Sequence, residues 1–414
     1  MPITINTDAD LDAVFKDIYL ELGSNLYSTY DAHYSRAKKT FGTLGAQNSK
    51  EPIETTFGGG VGASSDGTLP EASHSSFIDP LYSAKRNYAR VKIDNLTIEG
   101  TEKTEAAFVR MIDHEVTSKL RNFNRHLARQ QWNDGTGILG QFTGPAGGTA
   151  AAPTATILLT GTYRRRKFHF EKGELLQVNT LTSLFKVTSY VHSTGVLTLE
   201  RISGADDLTA LAVATHSIYT QGSKDAETYG YLGIYNNSSH YGIAQEDRYQ
   251  PTEVAGGGAP LDTGMLTDAV EISSTECDEN VTDIVFAPLQ YRKYIKLLED
   301  QKRFPVPVEF KPRSNAMTTP ELIARVSYGG IQYVGSTGNI VCSKGKFVRD
   351  DMVCGVNFKH NTVMHVKKPG WAQRDGTVFS RIDGVDAYEA RYVAFTEQKI
   401  NPWYQWFIAD LSIA

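Results

Sequence analysis

Cysteine is nearly absent: three residues in 414, Cys277, Cys342 and Cys354. So small and widely spaced a set builds no disulfide framework, and a reducing compartment suits it. Long apolar runs are missing too. No stretch reaches the roughly twenty residues of a helical membrane span, and residues 1–6 have no basic segment leading into an apolar one, so neither a membrane partner nor a secretion signal is expected. Charge of one sign is not in excess. Lys and Arg number 42 against 47 Asp and Glu, a formal net charge of −5, which excludes a chain whose main task is to coat nucleic acid but leaves room for local basic patches.

Catalytic and ligand motifs are equally scarce. The ten histidines are scattered, with no His-x-x-x-His or Cys-x-x-Cys spacing, so no metal site is indicated. There is no Gly-x-Ser-x-Gly elbow, and the clusters at Gly58–Gly62 and Gly256–Gly258 lack the Gly-Lys-Ser/Thr ending of a phosphate loop, reading instead as flexible connections. Gly135-x-Gly137-x-x-Gly140 has the letters of a dinucleotide fingerprint, but it follows a helical pattern where the fingerprint needs a strand, so it reads as a helix stop. No group of residues has the mutual spacing of a catalytic site. The expectation is a non-enzyme with no catalytic residues, cofactor or metal.

What is present is a polar extended run joined to a long helix. From residue 76 to 98 the chain alternates, with Tyr88, Arg90, Lys92 and Asp94 set against Ala89, Val91, Ile93 and Asn95, a period of two. One face is polar and the other only weakly apolar, which suggests a projecting hairpin resting on a neighbour rather than a strand in its own domain. Beyond Gly100-Thr101, Phe108, Ile112, Val116, Leu120, Phe123 and Leu127 recur at spacings of four and three, one face of an α-helix. Glu102 and Glu105 near its start and Arg121, Arg125 and Arg129 near its end match the helix dipole, and Asn133-Asp134-Gly135 supplies the stop. At about 1.5 Å per residue such a helix reaches roughly 40 Å. A girder with a reaching limb is the build of an assembly protein.

The chain is long enough for several packing units. Residues 11–22 carry a short amphipathic pattern. Small residues at 144–153 form a linker, and short β-like runs then follow at 156–159, 163–170, 174–178, 184–191, 196–199 and 217–219, with turn signals at Lys172-Gly173 and Ser193-Thr194-Gly195. They predict a small inserted β-domain, barrel-like in outline. A helix over about 261–279, a strand at 281–286 and a second helix after Ala287-Pro288 predict an α+β unit with a buried sheet. The C-terminal part returns to β at 331–334, 339–341, 362–366 and 387–395, ending in the apolar stretch 403–408. The densest basic run, Arg164-Arg165-Arg166-Lys167, reads as solvated charge, and the acid pairs Asp206-Asp207 and Asp350-Asp351 read as solvated turns. Tyrosine is abundant at 21 residues and suits interfaces. Tyr27, Tyr30, Tyr34, Tyr82 and Tyr88 fall in arm-like segments, and with Lys85, Arg86, Arg90 and Lys92 they are the candidate interface residues.

Several motifs in this order resemble the major capsid proteins of tailed bacteriophages, whose fold is named after phage Hong Kong 97. They are residues 86–93 (Arg-Asn-Tyr-Ala-Arg-Val-Lys-Ile), Gly100-Thr101 before the helix, Trp132-Asn133-Asp134-Gly135-Thr136-Gly137 at its close, Asp283-Ile284-Val285-Phe286-Ala287-Pro288, and Asp383-Gly384-Val385-Asp386-Ala387-Tyr388 followed by Asn401-Pro402. The resemblance implies an α+β capsid fold divided as N-terminal arm (1–60), extended β-hairpin loop (61–100), peripheral domain with spine helix (101–153), inserted β-rich domain (154–222), mainly axial domain (223–330) and returning axial and peripheral β segments (331–414). It implies a shell subunit that builds hexamers and pentamers around double-stranded DNA in a virion assembled in the host cytoplasm. The implied partners are other copies of the chain, a separate scaffolding protein, a portal, a cementing protein and DNA on the inner face. The rival reading is a ligand-binding or adhesin-like virion module, for which neither repeats nor a stalk pattern are present.

Overall fold

In the computed structural model the described residues are 32–45, 49–50, 52–65, 67–94, 105–146, 154–160, 170–179, 181–191, 194–245, 247–277, 279–300, 307–308, 330–335, 338–373 and 377–413. The amphipathic pattern at 11–22, Tyr27, Tyr30, the basic run 164–167 and most of the expected strand at 163–170 lie outside them.

Asp283–Phe286 is buried along its whole length, its apolar residues Ile284, Val285 and Phe286 as a central strand requires and Asp283 in an ion pair with Arg36. It pairs in parallel with Gly338–Lys344 and antiparallel with Val353–Val356 in a seven-stranded mixed sheet. Helices Thr263–Glu276 and Pro288–Asp300 pack on this sheet. The Asp262 carboxylate accepts the backbone N–H of Thr263 and Gly264, satisfying donors that the first turn leaves open. Phe286 stacks on Tyr294 with centroids 4.9 Å apart. A Cβ on Gly355 would lie 2.0 Å from the fully buried Trp406 ring, so only glycine lets that indole into the sheet.

A second sheet is organised by Ala387–Ile400. On one side the strand Lys85–Asp94 pairs with it antiparallel over ten residues, from Lys85 opposite Thr396 to Asp94 opposite Ala387. On the other side lie Asn361–His365, Gly370–Trp371 and Phe379–Arg381, and Lys38–Phe41 adds in parallel beyond Asn361–His365. The long helix Glu105–Gln130 lies against this sheet. Its described apolar stripe, Val116, Leu120, Phe123 and Leu127, shares one core with Val91, Ile93, Ala390 and Tyr392. Gly135 and Gly137 then take positive φ, 83° and 79°, and turn the chain away, as the helix stop requires.

Two expectations are corrected here. Lys85–Asp94 is a strand of its own sheet rather than a limb, because its weakly apolar face, with Val91 and Ile93, is enough to cover the long helix once Ala387–Ile400 supplies the ladder. Tyr34 and Tyr82 are likewise core residues of this chain. Tyr34 packs in the core of the long helix, with the Lys39 ammonium 4.8 Å from its ring, and burial pushes its phenol well above the ordinary tyrosine range. Tyr82 packs with Leu44 and Met364.

Between the helix and Gly222, six strands pair antiparallel in the order Ile138–Thr143, Thr215–Thr220, Leu175–Val178, Leu184–Val191, Val196–Ser203, Thr154–Leu158. A bridge between Phe142 and Leu159 joins the last to the first and closes a barrel, with its own core that includes Leu139, Phe142, Leu176, Val187 and Leu199. The unit starts at Ile138, not at residue 154. Leu139 and Phe142 carry the inward side of its first strand, and residues 144–146, the described part of the small-residue stretch, come after that strand. The tight turns sit at Gly173 and Gly195, both with positive φ. Asp206 is the solvated turn expected: its carboxylate accepts the N–H and hydroxyl of Thr182 and Ser183, which hold it below the usual carboxylate range. Asp350 and Asp351 are not solvated. Both are buried, and Asp351 accepts a 2.6 Å bond from Arg349.

Candidate assembly surface

The element that stands off the body is residues 49–82. Ser49–Lys50 pairs with Leu81–Tyr82, and Ile53–Thr56 with Ser76–Ile78, so the chain runs out and back as a two-stranded ribbon. Beyond the paired strands the two backbones stay in contact because the outgoing one is glycine. A Cβ on Gly58 would lie 2.6 Å from the Ser73 carbonyl oxygen, and one on Gly59 2.6 Å from Ser73 Oγ. These glycines permit close approach; they are not a loose connection. The element that stands off the body is therefore 49–82, whereas the resemblance implied an extended loop at 61–100.

Most described ribbon residues are solvent-exposed. Five of them are large and apolar: Phe57, Val61 (96% exposed), Leu69, Phe77 and Leu81. A single such residue on a surface needs no explanation, but a series along one thin ribbon without a core is the mark of a contact surface. Sequence reasoning passed over all five. Isolated apolar residues inside a Gly/Ser-rich tract were the available signal.

The root of the ribbon is firmly held. The guanidinium of Arg248 lies 3.7 Å from the Phe57 ring centroid and 4.7 Å from that of Trp403, clamping the outgoing strand to the body. On the return side the Leu81 N–H donates to the Tyr241 carbonyl at 3.3 Å, and the Tyr82 ring meets Tyr241 edge-on at 4.5 Å. Tyr241 sits at φ 51°, a left-handed conformation unusual for an aromatic residue, and its hydroxyl donates to the Gln398 carbonyl. Beside it, Glu397 and Lys85 line a cavity of about 460 Å³ between the ribbon root and the body. Glu397 is 1% exposed and accepts the backbone N–H of Tyr229 at 3.1 Å and of Gln398 at 2.9 Å. Burial pushes its carboxyl up to about 7, more than these bonds and the nearby Lys85 charge pull it down.

The remaining sequence-nominated residues come together. Arg86, Tyr88, Arg90 and Lys92 alternate along Lys85–Asp94 and are all exposed on one side, while Asn87, Val91 and Ile93 are buried. Arg90 and Arg391 both donate to the carboxylate of the buried Glu389. Against the cost of burial, those bonds hold Glu389 below the ordinary glutamate range. Two cations share one anion, so the strip stays positive. Tyr88, half-exposed, meets Phe395 edge-on at 6.1 Å. Among the described residues no group of three or more His, Cys, Asp or Glu could hold a metal ion, and no helix is long and apolar enough to cross a membrane.

No family model and no curated protein matches the sequence. Solved structures do match. The capsid of cyanophage A-1(L) aligns over 91% of this chain and 91% of its own, at 8% identity and a TM-score of 0.52. The capsid of the native GTA particle covers 93% of this chain and 91% of its own at 8% identity and TM-score 0.44. The SrpI encapsulin of Synechococcus elongatus PCC 7942 covers 93% and 90% at 7% identity and TM-score 0.45. The likeness to the cyanophage capsid, running through nine-tenths of both chains, shows that this chain has the phage major capsid-type fold.

Proposed function

We propose that this chain is the shell-forming subunit of a phage head, building hexamers and pentamers that close an icosahedral container for double-stranded DNA. The observation that carries this reading is the ribbon of residues 49–82, with its exposed apolar series on a chain of capsid-type fold. A contact surface displayed at the end of a thin ribbon has no use within one molecule. It makes a heterologous contact, and such contacts repeated around an axis close rings. In this reading the six-stranded sheet with the long helix is the peripheral domain, the seven-stranded sheet with its two helices the axial domain, the ribbon the extended loop, and the barrel from 138 to 220 an insertion between them. The segment before residue 49 is the N-terminal arm. Its described part enters the body at His33, whose ring bonds Ser343 at 2.8 Å, and at Arg36, which pairs with the buried Asp283.

A scaffolding protein, a portal, a cementing protein and DNA on the inner face are the partners that such a subunit meets in a virion. The test is negative-stain electron microscopy with sedimentation of the expressed chain, alone and with its genomic neighbours. Closed shells, or rings of five and six, are expected. Replacing residues 53–78 by a short Gly-Ser turn leaves the two sheets and their cores intact and is expected to give a soluble chain without shells. Normal particles from that deletion, or a monomer from the intact chain under every condition, would overturn the proposal.

A further inference from the structure

The groove between the barrel and the long helix carries more positive charge than its own folding uses. It encloses about 440 Å³ and is bounded by the strand Lys85–Asp94, the long helix and the barrel turn at 221–223. That volume falls in the range of about 300–1,000 Å³ that small-ligand sites occupy. Five cations line it, Arg86, Arg90, Lys119, Arg125 and Arg129, against two anions, Glu174 and Glu227. The surplus stands on a chain whose formal net charge is −5, so it is concentrated here against the average of the molecule.

The cations lie at two depths. Arg86, Arg90 and Lys119 are exposed at the rim. Arg86 and Lys119 have no ion-pair partner among the described residues, and Arg90 shares Glu389 with Arg391. Arg125 and Arg129 are recessed, each 4% exposed. Arg125 is committed to Glu171 and Glu174. Arg129 donates Nη2 to Glu227 and to His126 Nδ1, while its Nη1 has no hydrogen-bond partner among the described residues. A buried guanidinium N–H is expensive to leave without an acceptor, and one that lines a groove points to an acceptor that the chain itself does not supply. The two glutamates do not cancel the site. Both are already engaged by the recessed arginines, and burial raises the Glu174 carboxyl above the ordinary range despite those neighbours.

The acceptor that fits is a phosphoryl group. Its three oxygens can meet a recessed donor and rim donors at once, and the planar guanidinium fork matches its geometry. Tyr88, half-exposed in the same lining, offers a ring face on which a base can stack. We propose that this groove binds phosphoryl groups, with Arg86, Arg90 and Lys119 on the outer oxygens and Arg129 Nη1 on the innermost. A free oligophosphate and the backbone of a single nucleic-acid strand present the same chemistry. The proposal does not depend on the shell reading.

The test is isothermal titration calorimetry of the full chain with inorganic pyrophosphate in one arm and a single-stranded hexanucleotide in the other, both against sodium chloride of equal ionic strength. Binding of at least one probe is expected. Arg86→Ala with Lys119→Ala, both exposed and outside the cores, is expected to weaken it about tenfold or more. For the strand, the slope of log affinity against log salt should fall by about one to two. Arg292→Ala with Lys296→Ala removes two equally exposed cations from the helix Pro288–Asp300 and is expected to change nothing. Pyrophosphate binding the more tightly identifies a free oligophosphate as the ligand; the hexanucleotide binding the more tightly, with loss on Tyr88→Ala, identifies a strand. Neither probe binding beyond the chloride control, undiminished binding in the rim variant, or equal weakening in the Arg292 and Lys296 variant would each overturn the proposal. Shells that form and bind neither probe overturn it while leaving the shell reading in place.

Discussion

Glu397 offers the sharpest quantitative test of the structure. Its carboxyl is buried beneath the ribbon root and is pushed from the ordinary 4.5 to about 7, chiefly by burial. The folded protein therefore holds this proton more tightly than the unfolded chain does. The sign follows: the contribution to stability is fully present below about pH 4.5 and is lost as the pH rises through about 7. At about 1.4 kcal/mol per pH unit, the loss across that window amounts to about 3 kcal/mol. Glu397→Gln keeps the oxygen that accepts from Tyr229 and Gln398 and cannot ionise. The variant should match the wild type near pH 4.5 and exceed it by up to about 3 kcal/mol at pH 8 to 9. Urea unfolding of the unassembled subunit at intervals from pH 4.5 to 9 measures this directly, read from the main cooperative transition and, separately, from hydrogen exchange at Leu81 and Tyr229. Wild-type and variant profiles that run parallel across the whole range would refute the reasoning, because they would mean that Glu397 carries no excess proton in the fold.

Three further outcomes follow from packing. Leu120 is 1% exposed at the middle of the long helix, and Leu120→Ala should cost about 2–5 kcal/mol in urea unfolding by removing it from the core shared with Tyr392 and Ala390. Gly355→Ala places a methyl group against the Trp406 ring and should cost about 1–3 kcal/mol or more, seen as an altered tryptophan emission and a lower unfolding midpoint. Glu227, which joins Arg129 to Asn133 in the interior, leaves a buried cation without its anion when changed to Leu; about 3–5 kcal/mol should be lost, with the damage mapped by hydrogen exchange to the end of the long helix.

Much of the architecture was legible because local rules and tertiary packing agree over long stretches. The helix Glu105–Gln130 follows from apolar spacing and its glycine stop, the barrel from short runs set off by Gly173 and Gly195, and the buried strand Asp283–Phe286 from the apolar triplet Ile284-Val285-Phe286 before Ala287-Pro288. The stripe of Arg86, Tyr88, Arg90 and Lys92 was legible for the same reason, since period two puts alternate residues on one face. The ribbon was misplaced because a strand with one weakly apolar face looks alike whether it projects or pairs. Partners 300 residues away decide the matter, here Ala387–Ile400. Tyr34 and Tyr82 were misread on similar grounds, since their cores are assembled by Leu127, Met364 and Leu44 from distant segments.

By itself, then, the sequence determined the elements and their faces, because helix and strand periods are properties of a few consecutive residues. It also holds only three scattered cysteines and neither a Cys-x-x-Cys nor a Gly-x-Ser-x-Gly motif. Only the tertiary structure decided which extended segment stands free, where the barrel starts, and that Glu397 is buried with a raised pKa. Those outcomes depend on the order of strands in sheets and on the burial that order produces, and both are set by contacts between residues hundreds of positions apart.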